Sequence, residues 1–141
     1  MGSLLITPGY PRVGDMSALR VLWKLIGANM NSTADQAFTK VGTFNTWIVP
    51  IAGGFGRLVN PSTSLTTAVG GVYSATGKGG DALVANTQVY SGATGPTLGA
   101  NLSITAAGSG LRSDSAIYLS LTTPQGGAAT ADIYVVGVAI S

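Results

Sequence analysis

The sequence predicts an all-β domain: a jelly-roll-like β-sandwich of about eight strands with an extended N-terminal arm. Three observations predict it. Short runs that alternate apolar and polar side chains recur at intervals of about ten residues, with turn chemistry between them. Glycine supplies 21 of the 141 residues, and Ala, Ser and Thr are abundant, whereas helices favour Leu, Glu, Lys and Arg. Only 9% of residues are charged, against about 25% in an ordinary soluble domain. A chain so sparsely charged is suited to place much of its surface against other protein.

Residues 1–15 (MGSLLITPGYPRVGD) form the predicted arm, and residues 16–141 a single sandwich domain. Pro8, Gly9, Pro11 and Gly14 exclude a helix or a long strand from the first segment. Leu4, Leu5, Ile6 and Tyr10 are nevertheless apolar. The segment reads either as a frayed terminus or as an arm laid across a neighbouring subunit. Met16 to Ala28 fits a strand better than a helix, because Leu19, Val21, Trp23 and Leu25 then share one face and Arg20 and Lys24 the other.

Asn29 to Asp35 is turn-like. Gln36–Val41 and Phe44–Ile51 read as strands, the second weakened by Pro50, which removes a ladder donor. Phe55–Val59, Val69–Ala75, Ala82–Tyr90 and Leu98–Ala106 continue the series, separated by NPST, TGKGGD and SGATGPT. The stretch Asp114–Ser141 closes it as an expected hairpin. Its first run places Ile117, Leu119 and Leu121 on one face. Its second (IYVVGVAI) is apolar at both parities, as in a strand covered on both sides or covered by another subunit. One internal echo occurs: SLTTAVGG at Ser64–Gly71 and SLTTPQGG at Ser120–Gly127 agree at six of eight positions.

The residue inventory removes several function classes. Histidine and cysteine are absent, so Ser-His-Asp and Cys-His catalysis are impossible, as are disulfides and thiolate metal sites. The lack of cysteine fits synthesis in a reducing cytosol. The five acidic residues, Asp15, Asp35, Asp81, Asp114 and Asp132, lie apart in the chain and form no acid–base pair in sequence. A Ser-Lys dyad through Lys24, Lys40 or Lys78 has no motif around it. GKGG at Gly77–Gly80 fails as a phosphate loop, because Val72 and Gly79 occupy positions that require Gly and Ser or Thr. No EF-hand spacing exists.

No enzyme activity, cofactor or metal is therefore expected. Seven scattered Lys and Arg make no nucleic-acid patch in sequence, and no apolar run approaches the roughly 20 residues of a membrane-spanning helix. Trp23, Trp47, Tyr73, Tyr90, Tyr118 and Tyr134 are expected mainly in the core.

The phrases NMNSTADQAFTKV, SLTTAVGGVYSATGKGGDALVANTQVY and SAIYLSLTTPQGGAATADIYVVGVAIS resemble the capsid cement, or decoration, proteins of tailed bacteriophages. The resemblance covers most of residues 29–141. It implies a non-enzymatic virion subunit, made in the host cytoplasm, that binds the outside of an HK97-type shell between major capsid proteins, often as a dimer. Candidate contacts to the capsid or to another subunit are Leu4, Leu5, Ile6 and Tyr10 in the arm, and Val136, Val138 and Ile140 in the last strand. A tail-fibre or receptor-binding β-module and a carbohydrate-binding domain are the alternatives.

Overall fold

The computed structural model describes residues 19–51 and 55–140. They form ten strands: β1 (Arg20–Asn29), β2 (Gln36–Ala37), β3 (Thr39–Lys40), β4 (Trp47–Ile48), β5 (Gly56–Val59), β6 (Val69–Ala75), β7 (Gly79–Val84), β8 (Ala100–Leu102), β9 (Tyr118–Thr123) and β10 (Thr130–Ala139). Two antiparallel sheets result. One has the order β3-β1-β10-β5-β8 with β4 also paired to β10, and the other has the order β2-β9-β6-β7. The all-β sandwich-like architecture is as expected. The arm candidates Leu4, Leu5, Ile6 and Tyr10 lie outside the described residues.

A single apolar cluster fills the space between the sheets. Leu22, Trp23, Met30, Trp47, Leu58, Leu83, Tyr90, Leu102, Ile117, Leu119, Leu121 and Ile133 are all buried in it, each large side chain contributing about 1.5–3 kcal/mol of transfer free energy. Trp23, Trp47, Tyr73 and Tyr90 are buried, while Tyr118 and Tyr134 are half-buried. The Tyr90 hydroxyl donates to the Gly70 carbonyl at 2.9 Å, and burial pushes its pKa well above the ordinary tyrosine value.

Several sequence expectations are corrected. The closing stretch is not a hairpin, because β9 pairs with β6 and β2 whereas β10 pairs with β1, β5 and β4. Both strands offer one apolar face to the same core, Ile117, Leu119 and Leu121 from one side and Ala131, Ile133 and Val135 from the other. Connecting them across the core satisfies both faces. The connection is anchored by Gln125, whose side-chain carbonyl accepts the amides of Thr66 (2.9 Å), Thr67 (3.1 Å) and Ala68 (3.3 Å). The two SLTT phrases thus lie antiparallel beside each other, with Gly71 opposite Ser120 and Gly70 opposite Leu121.

Gln36–Val41 is not one strand. Gln36–Ala37 joins β9 and Thr39–Lys40 joins β1, while buried Phe38 marks the crossing from sheet to sheet. Phe44–Ile51 is paired only at Trp47–Ile48, in keeping with Pro50. The strand expected at Ala82–Tyr90 stops at Val84; a turn at Asn86–Thr87 follows, and Val89 then bridges Val69.

In β1, the register shifts between Val21 and Trp23. The resulting bulge turns Leu22 and Trp23 both inward, where simple alternation would have placed Leu22 outside.

The sandwich leaves little free edge. β2 and β3 have two residues each. At the opposite side Ile104 bridges Val84, and the Thr105 amide donates to the Leu83 carbonyl at 2.9 Å. Short or covered edges discourage strand addition by another chain.

Candidate functional site

The surface that stands out is the outer face of the six-stranded sheet. Along β10 the odd-numbered residues Ala131, Ile133 and Val135 point into the core, so Asp132, Tyr134, Val136 and Val138 point outward, and each is only half-covered. Ile140 follows on the same parity and is 54% exposed. The structure thus places Val136, Val138 and Ile140 together on one outward face.

Cross-strand register assembles neighbours that the sequence keeps far apart. Val21 on β1 lies opposite Val136, and Ile48 on β4 opposite Val138. Trp47 bridges Arg112 on its other side, so antiparallel pairing brings Leu111, 66% exposed, beside Ile48. Leu111, Ile48 and Val138 make one apolar row, and Val21 with Val136 makes the next. Ile51, also exposed, lies three residues beyond Ile48.

Further along the face the chemistry changes. Tyr134 lies opposite Lys24 on one side and Arg57 on the other, Lys24 opposite Thr39, and Arg57 opposite Asn101. The next outward residue, Asp132, is already engaged: it accepts the Gly27 amide at 2.9 Å and the Asn60 side-chain amide at 3.0 Å. Among the described residues, Arg20, Lys24, Lys40 and Arg57 all belong to the six-stranded sheet, with Asp132 its single carboxylate. Asp35 and Asp81 lie beside and on strands of the other sheet, and Asp114 lies at the junction, its carbonyl accepting the Trp47 indole N–H at 3.1 Å.

Aromatic packing stiffens this sheet from within. Trp23 lies edge-on to Phe44 and Trp47, with ring centroids 5.8 and 5.6 Å apart. The Lys40 ammonium stands 4.7 Å from the Phe44 ring centre and the Arg20 guanidinium 5.4 Å from it. Both cations also donate to backbone carbonyls, Lys40 to Phe44 and Arg20 to Val41, at 2.8 Å each. The Trp23 indole N–H is buried without a partner among the described residues, a cost of about 1–3 kcal/mol set against the packing of its ring.

Arg112 ties the two sheets together at one end. It bonds Asp114 at 2.5 Å and Asp81 of β7 at 3.0 Å, donates to the Ala107 carbonyl at 2.9 Å, and lies over Trp47 at 6.0 Å. Burial works against its charge, but the two aspartates outweigh that and raise its pKa.

The four-stranded sheet presents a different outer surface. Tyr118 lies opposite Tyr73 and is flanked by Ala37; Tyr73 is flanked by Ala82, and Ser120 lies opposite Gly71. Asp35 accepts the Gly77 amide at 2.8 Å. That bond, then the nearby Ser120 hydroxyl, holds its carboxyl below the usual aspartate value, although the buried Ser120 hydroxyl makes no hydrogen bond of good geometry. A depression at one end of this sheet is lined by Ser74, Thr76, Ser113, Asp114, Ser115 and Tyr118. Among the described residues, no three Asp side chains gather where they could hold a metal ion. No helix among them is long and apolar enough to cross a membrane.

Sequence reasoning identified the β10 residues but not Val21, Ile48, Leu111, Lys24 or Arg57 as parts of this surface. Alternation along β10 was visible locally, whereas its neighbours depend on strand order. Comparison of the chain with protein-family models, with curated proteins and with solved structures gives no match.

Proposed function

We propose that this protein is a virion structural subunit, a capsid cement or decoration protein that binds the outer surface of an HK97-type icosahedral shell and bridges major capsid proteins. The apolar part of the six-stranded sheet's outer face, formed by Val21, Ile48, Leu111, Val136 and Val138 with Ile140 beside it, carries the reading. Apolar area of this kind gains free energy when another protein removes it from water. The short and covered sheet edges support face-to-face docking over strand addition. The phrase-level resemblance to cement proteins points the same way.

Strand order supports the jelly-roll form of this reading. Without the short strands β3 and β4, the sheets run β1-β10-β5-β8 and β2-β9-β6-β7. In this set of eight strands, which keeps the two-residue β2, first and last are neighbours, and every connection between successive members changes sheet except the β6–β7 hairpin. The role is non-enzymatic: contact area does the work, and a dimer is the favoured assembly unit.

The test is the copy number of the protein in purified virions. A cement subunit co-sediments with shells at an abundance comparable to the major capsid protein. Recovery only in tails, or at a few copies per particle, rejects the proposal in favour of a fibre module. A carbohydrate-binding role draws on the depression lined by hydroxyl groups, Asp114 and Tyr118; glycan-array binding by the purified chain that is lost in Tyr118→Ala would favour it.

A further inference from the structure

We infer that the outer face of the six-stranded sheet recognises an acidic protein segment: carboxylates meet Lys24 and Arg57 while neighbouring apolar side chains settle on Val136, Val138 and Leu111. This rests on the capsid reading and specifies the chemistry of the partner. Lys24 and Arg57 both pair with Tyr134, from opposite sides. They therefore stand two strand spacings apart, about 10 Å, with a phenol between them. Both are exposed. Their row borders the Val21–Val136 row, two residues away along β10, so the charged and apolar parts form one continuous surface.

Charge distribution argues for the sign of the partner. Among the described residues, the outer face carries Lys24 and Arg57 against Asp132 alone, and both oxygens of that carboxylate already accept hydrogen bonds within the fold. Among the described residues, Asp132 is the only carboxylate on this face and it is committed within the fold, so the face suits an approaching carboxylate better than a basic partner. Nucleic acid is the poorer match. Two cations bordered by apolar rows do not form the basic track that a phosphate backbone requires, whereas a mixed apolar and charged patch is ordinary protein-interface anatomy.

The experiment is co-sedimentation of the full chain with shells depleted of it, at low and high salt, with single-stranded DNA as a second probe. Wild-type binding to shells weakens as salt rises, and the double variant Lys24→Glu/Arg57→Glu binds at least roughly tenfold more weakly at low salt. Lys78→Glu, at the β6–β7 turn on the other sheet, binds as wild type. Unfolding midpoints establish that each variant is folded; should the double reversal fail to fold, Lys24→Gln/Arg57→Gln takes its place and loses most of the salt dependence. Salt-independent binding, with the double variant equal to wild type, overturns this inference and leaves the capsid reading standing. Failure of wild type to bind shells overturns both. Preference for the DNA over the shells overturns the acidic-protein partner.

Discussion

The two outer faces of the sandwich share their tyrosines and differ in almost everything else. On the four-stranded sheet, Gly71 and Ser120 share one cross-strand pair and the tyrosines Tyr73 and Tyr118 another, with Ala37 and Ala82 beside them. Its apolar bulk points inward through Val72, Leu119 and Leu121. On the six-stranded sheet, β10 is apolar on both parities, and the outer set, Val136 and Val138, continues through Ile48 to Leu111. One face is closed within the fold, with Gly71, Tyr73 and Ser120 all buried. The other leaves Leu111 and Ile140 exposed and Ile48, Val136 and Val138 half-covered, and the proposed docking role rests on that asymmetry.

The largest effect belongs to the compact face. A Cβ on Gly71 would collide with the Val84 carbonyl oxygen, and one on Gly70 would collide with the Leu121 Cα. Both obstacles are backbone, so the close approach of β6 to its neighbours depends on these glycines. Gly71→Val is expected to destabilise the fold by more than about 3 kcal/mol, read as a large fall in the urea midpoint. An unchanged midpoint would mean that the sheets tolerate a wider spacing than the structure shows.

Arg112 comes next because it couples the two regions. Arg112→Met keeps much of the side chain's length over Trp47 but leaves Asp114 and Asp81 without their cation. The arginine side chain is 8% exposed, while that of Asp81 is 58% exposed. The water-facing half of the network is discounted accordingly, and the expected loss is about 2 kcal/mol. Chemical denaturation measures it. A loss below about 0.5 kcal/mol, the level of an ordinary surface substitution, would show that the apolar core and the Trp47–Arg112 backbone pairing hold the sheets together without the ion pairs.

On the other face the sign of the experiment reverses: stability should hold while binding fails. Leu111→Asp and Ile140→Asp replace exposed apolar side chains and should change stability by no more than about 0.5 kcal/mol. Each should nevertheless weaken association with shells, whereas Thr122→Asp on the four-stranded sheet should not. Sedimentation with shells and thermal unfolding, run on the same samples, separate the two quantities. Equal loss of binding from the Thr122 variant would erase the distinction between the faces.

How much of this was legible depends on whether the signal was local. Alternation in Ile117–Leu121 revealed a strand and its buried parity, and the doubled apolar character of β10 marked a strand covered on both sides. Sheet membership was hidden, because two adjacent runs with a short Gly-rich link look alike whether they pair with each other or face each other across a core. The bulge at Leu22 defeated simple alternation, since one extra residue reverses the parity of every later position in the strand. Phe38 concealed a crossing between sheets within an apparently single strand. The Lys24–Tyr134–Arg57 row could not be seen at all, for its members come from three strands brought together only by topology.

The smallest expected effect tests a local closure on the four-stranded side. Asp35, just before β2, holds the β6–β7 turn by accepting the Gly77 amide, and its folded pKa lies below the ordinary 3.8, first because of that bond and then because of the Ser120 hydroxyl, with Lys78 adding to the effect. A carboxyl whose pKa is depressed on folding contributes stability that is fully present above its unfolded value, and loses it as pH falls through the lower folded value. The effect therefore lies at acid pH, below about 4, and leaves neutral solution untouched. In an NMR titration the Gly77 amide shift should move with a midpoint below that of an unperturbed aspartate, and Asp35→Asn should abolish the movement. A midpoint at or above the ordinary value would mean that the turn is not held by this carboxylate, and that the compact face owes its order to close backbone packing at Gly70 and Gly71 alone.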